Sequence, residues 1–170
     1  MRRTGDEKGL SLVEVIVTTA VVGVVLGVSV PNLSPGSIGL TTAKQNLAND
    51  LRRIRMDATI RGVHFRVTMG PSSYRIERLR QGSSGAWEVD PTVTSRQVDL
   101  PSDIALAAAN PDGAVANIEF NTRGMVAPST SAESTAPVIL TLSQRHSARK
   151  DNVEVWPSGQ IRLLSSSQAS

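Results

Sequence analysis

The chain has no cysteine among its 170 residues, and aromatic side chains make up only 3% of it. Without cysteine no disulfide is available, even if the protein faces an oxidising compartment. With so few aromatics, any core must come from Val, Ile, Leu and Ala. A strong charge of one sign is missing too: 18 Lys and Arg against 15 Asp and Glu leave a formal +3, too weak a balance to imply nucleic acid by itself. The two histidines, His64 and His146, lack a nucleophile elbow, metal-ligand spacing or phosphate loop around them. Asp90, Asp99, Asp103 and Asp112 stand beside Pro or Gly or at strand ends, where turns use them. No catalytic residue, metal site or cofactor is expected, and no internal repeat is present.

What the chain does have is an almost uncharged run from Leu10 to Val30, with Glu14 as its single ionisable side chain. A run of about 20 apolar residues is helical in lipid and long enough to cross the hydrocarbon core. A carboxylate deep in a bilayer costs on the order of 2.5 to 3.5 kcal/mol, so Glu14 calls for a functional explanation. Arg2, Arg3 and Lys8, interrupted by Asp6 and Glu7, make the preceding leader hydrophilic with a small basic excess, which favours a cytoplasmic N-terminus. A standard secretory signal has a shorter apolar region and its cut on the far side. Here the best cut lies before the run. Gly23 and Gly27 form a G-x-x-x-G within it, and Pro31 with the turn-rich NLSPGSIG predicts a break between 31 and 40.

The residues Gly9, Leu10, Ser11, Leu12, Val13 and Glu14 resemble the class III signal of type IV pilins and type II secretion pseudopilins: Gly, hydrophobic, small hydroxyl, Leu, apolar, Glu. The resemblance implies cleavage after Gly9 by a prepilin peptidase and N-methylation of Leu10. Residues 1–9 become a leader peptide and Glu14 the fifth mature residue. Leu10 is a mild departure, Phe being commoner after the cut. The physical logic stands beside the resemblance. A freed amine at Leu10 is cationic near neutral pH and needs an anionic partner in an apolar assembly, and Glu14 is the one candidate in the run. One subunit's Glu14 meeting another's N-terminus sets axial register in a filament.

A second helix is expected over 41–62, starting at Thr41 or Thr42. Leu47, Leu51, Ile54 and Ala58 give it one apolar stripe, and Lys44, Arg52, Arg53, Arg55 and Asp57 occupy the opposite, solvated side. From Val63 the period becomes two, with Val63, Phe65, Val67 and Met69 on one face. Further strands are read in SYRIERL, AWEVD, SRQVDL, VANIEF, PVILTL, NVEVWP and QIRLL, separated by the turn signals QGSSG, NPDG, NTRG and PSG. The stretch from Ala127 to Pro137 reads as an exposed, mobile loop. The expected fold is therefore α+β: a long N-terminal hydrophobic helix over 10–30, a linker or kink over 31–40, and a globular domain over 41–165. In that domain the amphipathic helix packs on antiparallel sheets over 63–165.

The helix LANDLRRIRMDATIRG, then IEFNTRG, then VEVWPSGQIR resemble the GspH/FimT family of minor pilins and pseudopilins, with an F-x-x-x-G in the middle and a Gly-Arg-rich end. This implies a subunit near the tip of a type IV pilus or type II secretion pseudopilus. It implies residence first in the bacterial inner membrane, as a single-pass protein with a cytoplasmic leader and a periplasmic domain. The implied partners are the prepilin peptidase, other major and minor pilins or pseudopilins, and the inner-membrane assembly platform. Some FimT-like minor pilins bind DNA through Gly-Arg-x-Arg, where this chain has Gly159, Gln160, Ile161 and Arg162. Arg145, His146, Arg149 and Lys150 could join Arg162 in a basic patch, offset in part by Asp151 and Glu154, so Arg145, Arg149, Lys150 and Arg162 are the candidate DNA-binding residues.

Overall fold

The structure, a computed structural model, describes residues 12–29, 35–127 and 136–164. It divides into two units, Met1–Pro35 and Gly36–Ser170. In the first, helix α1 runs Leu12–Ser29. Leu12, Val13, Val15, Ile16, Val17 and Val21 are all exposed on it. Thr18 and Thr19 donate their hydroxyls to the carbonyls of Glu14 and Val15 one turn back, so these polar groups are satisfied by the helix itself. Among the described residues no helix is long and apolar enough to cross a membrane. Of the span expected over 10–30, Leu10, Ser11 and Val30 lie outside the described residues, as do Gly9 and the rest of the leader.

Helix α2 spans Pro35–Arg61. It begins six residues before the expected start at Thr41, which corrects the linker assigned to 31–40: positions 35–40 are helical. Proline at the first position of a helix forfeits no bond, because that N–H has no partner in the helix anyway. Residues 30–34, with the expected break at Pro31, are outside the described residues. The expected stripe is the buried one. Leu47, Leu51 and Ala58 are fully buried and Ile54 nearly so, and Leu40 extends the stripe into the added turn.

The strands are β1 His64–Met69, β2 Ser73–Gln81, β3 Trp87–Val89, β4 Arg96–Asp99, β5 Ile104–Asn110, β6 Gly113–Ala114, β7 Asn117–Phe120, β8 Val126–Ala127, β9 Val138–Gln144, β10 Lys150–Val155 and β11 Ile161–Leu164. One sheet has the order β3-β2-β1-β7-β8, with β4 also on β2; the other has the order β11-β10-β9-β5-β6. All pairings are antiparallel. Strand β5 is the one substantial element that the sequence reading does not include. Its Ile104, Leu106 and Ala108 face inward, but alanine at four of its seven positions blurs the alternation. Of the Ala127 to Pro137 stretch, residues 128–135 are outside the described residues.

A single apolar cluster unites α2 with both sheets, through Val67, Tyr74, Ile118 and Phe120 on one and Leu106, Leu140, Leu142, Val153 and Val155 on the other. Polar ties then fix the helix to each sheet. Toward the first, Tyr74 donates its hydroxyl to Asp50 at 2.7 Å, and Arg96 reaches the same carboxylate at 3.1 Å. Toward the second, Lys44 lies 3.3 Å from the buried Asp151 and donates to the Leu164 carbonyl at 3.2 Å. Lys44 is therefore not on the solvated side of α2, as its place on the helix suggested. It reaches inward because a carboxylate on β10 would otherwise be buried without a cation.

Candidate functional site

Two features of the first unit bear on assembly. Over residues 12–21, where its side chains are described, helix α1 exposes Leu12, Val13, Val15, Ile16, Val17 and Val21 beside the polar Thr18 and Thr19, and its one charged group there, Glu14, stands in the first turn, where a carboxylate suits the helix dipole. Gly9 and Leu10, the expected cleavage and methylation positions, lie outside the described residues.

The C-terminal cations fall in two places. Arg145, His146 and Arg149 are exposed on the hairpin between β9 and β10, and exposed Lys150 opens β10. Arg162 is on β11, directly across from Glu154. Since Glu154 is four residues along β10 from Lys150, the two groups stand about 13 Å apart along the strand. Arg162 lies 5.4 Å over the Trp156 ring and donates to Gln160 at 3.2 Å, while Trp156 Nε1 donates to Glu154. Asp151, expected to offset these cations, instead faces the core and pairs with Lys44. The hairpin therefore keeps its positive charge, and Arg162 sits apart with an aromatic and an acidic neighbour.

A third place joins motifs that are far apart in sequence. Asn121 closes the NTRG turn by accepting the N–H groups of Arg123 and Met125 on its side-chain oxygen. Pro157 of the PSG turn accepts the Val126 N–H at 3.0 Å, so the two turns are stitched together. At Gly159, with φ of 79°, an added Cβ would meet the Gly124 carbonyl oxygen at 1.9 Å and Arg55 Nε at 2.9 Å. At Gly124, with φ of 71°, it would meet the Thr59 hydroxyl at 2.8 Å and Arg55 Cγ at 3.1 Å. The helix motif, the F-x-x-x-G and the Gly-rich end thus meet at one corner. Only glycine allows the two backbones so close to each other and to Arg55. Each motif is visible in the sequence, but nothing there shows that they converge.

The histidines have ordinary surroundings. His64 stacks on Trp87 with centroids 3.6 Å apart and places Nδ1 3.2 Å from Glu119, which also pairs with Arg66. Asp90 is held below its ordinary carboxylate value, chiefly by the Thr92 hydroxyl and then by the Thr92 N–H, both of which donate to it. Among the described residues no group of three or more His, Asp or Glu is placed to hold a metal ion.

The globular unit has the α+β fold of type IV pilin-like subunits, and the chain is similar to minor pilins and minor pseudopilins. It superimposes on the type IV minor pilin FimU of Pseudomonas aeruginosa with a TM-score of 0.54 at 18% identity, over 77% of this chain and 92% of FimU. With the minor pseudopilin EpsH of the type 2 secretion system of Vibrio cholerae the TM-score is 0.52 at 18% identity, over 74% of this chain and 96% of EpsH. Pilin-like protein PilA1 of Thermus thermophilus is 37% identical over 51 residues, which are 30% of this chain. The match spans a third, 33%, of the length of PilA1. No protein-family model matches the chain.

Proposed function

We propose that the protein is a minor pilin or pseudopilin that works by assembly into a filament of the type IV pilus or type II secretion kind, at or near its tip. The observation that carries this reading is the pairing of a pilin-type globular fold with an apolar helix whose first turn holds one acid. On this reading the chain is anchored in the inner membrane with its leader in the cytoplasm, and prepilin peptidase cuts after Gly9 and methylates Leu10. The assembly platform then moves the subunit into the filament. There Glu14 neutralises a neighbour's new α-amino group. Burial makes the pair a specifier of register more than a source of net stability. Glu14→Ala should leave cleavage nearly intact and impair incorporation. Normal recovery of that variant in a sheared filament fraction would refute the role of Glu14.

A second reading adds DNA capture. The observation favouring it is that Arg145, Arg149 and Lys150 are exposed together on one hairpin and that Asp151 does not neutralise them. An electrophoretic shift comparing the wild type with a variant carrying Ala at Arg145, Arg149, Lys150 and Arg162 tests it. Equal binding, or none, in both proteins eliminates DNA capture and leaves the assembly reading untouched.

A further inference from the structure

Asp112 and Gly113 form the one Asp-Gly pair in the chain, and there is no Asn-Gly pair. They lie in the turn between β5 and β6, where residues 111–114 are all exposed. Asn110 closes that turn by accepting the Asp112 N–H on its side-chain oxygen at 3.0 Å. This holds the backbone of Asp112 and leaves its carboxylate free. The carboxylates of Asp50, Asp57, Asp90, Asp99, Asp103 and Asp151 each accept a hydrogen bond or pair with a cation. Asp112 is the one described aspartate whose carboxylate does neither among the described residues.

The residue that follows matters as much as the carboxylate. Asp50, Asp57, Asp99, Asp103 and Asp151 precede residues whose side chains crowd the amide nitrogen, and Asp90 precedes Pro91, which has no N–H. Gly113 has an N–H and no Cβ. At its φ of 132°, which glycine adopts without strain, the place a Cβ would take has no neighbour within 4 Å. Strand β6 is held to β5 through Gly113 and Ala114 alone, so the turn can open locally at little cost.

We propose that Asp112–Gly113 is a site of spontaneous backbone modification, at which the folded protein converts aspartate to isoaspartate with water as the only co-reactant. The Gly113 amide nitrogen attacks Cγ of the Asp112 carboxylic acid. A C–N bond forms, and the acid's hydroxyl leaves as water with the amide proton. Water then adds to the backbone carbonyl carbon of the five-membered imide and breaks its bond to the Gly113 nitrogen, which regains a proton. The chain now runs through Cγ, and the α-carboxylate is free; addition of water at Cγ instead restores aspartate. Nothing is oxidised or reduced. The product carries one more methylene in the backbone of the turn that leads from the second sheet to the first. Just beyond it Val115 packs against the core and Ala116 accepts the Met69 N–H, so the longer link loosens a junction between the sheets. The proposal is independent of the assembly reading.

The test uses the full chain, purified in detergent and kept folded at neutral pH for weeks in heavy-oxygen water, beside a sample unfolded in urea. Trypsin releases the peptide Gln97–Arg123, which contains Asp99 and Asp103 as internal controls. Electron-driven fragmentation beside the added methylene distinguishes isoaspartate from aspartate and locates the heavy oxygen. The folded wild type should accumulate isoaspartate at position 112, with heavy oxygen incorporated there, and none at Asp99 or Asp103. Asp112→Glu should abolish the signal, because the ring would need six members. Asp112→Asn should convert faster, because the side-chain amide releases ammonia more readily than an ionised carboxylate releases its oxygen. No isoaspartate at 112 in the folded wild type, its formation only in urea, equal amounts at Asp99 or Asp103, or an unchanged rate in Asp112→Asn overturns the proposal.

Discussion

Removing the Lys44 side-chain charge should be among the most damaging single changes in the globular unit. The Lys44 side chain is 12% exposed and that of Asp151 4%, with 3.3 Å between Nζ and Oδ2. At an effective dielectric constant of about 20 their attraction is roughly 5 kcal/mol, most of it offset by desolvation when both are present. Lys44→Met leaves the desolvation of Asp151 without its compensation, and deprives the Leu164 carbonyl of a donor. The expected loss is about 3 to 5 kcal/mol, a large share of the roughly 5 to 15 kcal/mol that stabilises a domain. Replacing both partners, Lys44→Met with Asp151→Leu, should return stability to within about 2 kcal/mol of the wild type, because no buried charge remains. Urea unfolding of the two single variants and the double variant closes the cycle. Additive losses, or a Lys44→Met cost below about 1 kcal/mol, would show that the ion pair does not fix α2 to the second sheet.

Gly159→Ala should cost about 3 kcal/mol or more, combining left-handed strain with the clash against the Gly124 carbonyl. Gly85→Ala, at φ of 82° with nothing nearby, should cost only about 1 to 2 kcal/mol, and urea unfolding of the two glycine variants measures the difference. Thr92→Ala should raise the Asp90 pKa toward the ordinary carboxylate value in a carbon-detected NMR titration. Because the folded value is depressed, the stabilisation that Asp90 contributes is present above the unfolded value of about 4 and lost as pH falls through the folded one. Burial first, and then the hydrogen bond to Asp50, hold the Tyr74 phenol well above its usual value. Its contribution is complete below pH of about 10 and declines above it, and Tyr74→Phe should flatten that alkaline decline at a cost of about 1 kcal/mol.

The helix stripe, Leu47 to Ala58, was readable from sequence because a period near 3.6 survives wherever one face of a helix is buried. Strands such as β1 were readable for the analogous reason at period two. Strand β5 escaped because alanine gives little contrast between its inward and outward positions. The start of α2 was misplaced because proline and glycine in PGSIG read as a turn, although proline is well suited to a first helical position. Lys44 was misread as solvated because helix position shows which way a side chain leaves the backbone, not what its long stem can reach. Convergence is what no local pattern carries. Gly124, Gly159 and Arg55 are separated by many residues, and their contact exists only once both sheets have closed on α2. For the same reason Arg162 looked like part of one basic patch with Arg149 and Lys150, although the strand register puts it at the other end of β10.

The central claim is that hydrolysis ahead of α1 releases an amine which a sister subunit's Glu14 then neutralises as the fibre grows. Intact-mass and N-terminal fragment analysis of the protein recovered from sheared filaments tests this most directly. The account predicts a chain that begins with N-methylated Leu10. A chain that still begins at Met1, or one cut beyond Ser29, would contradict it.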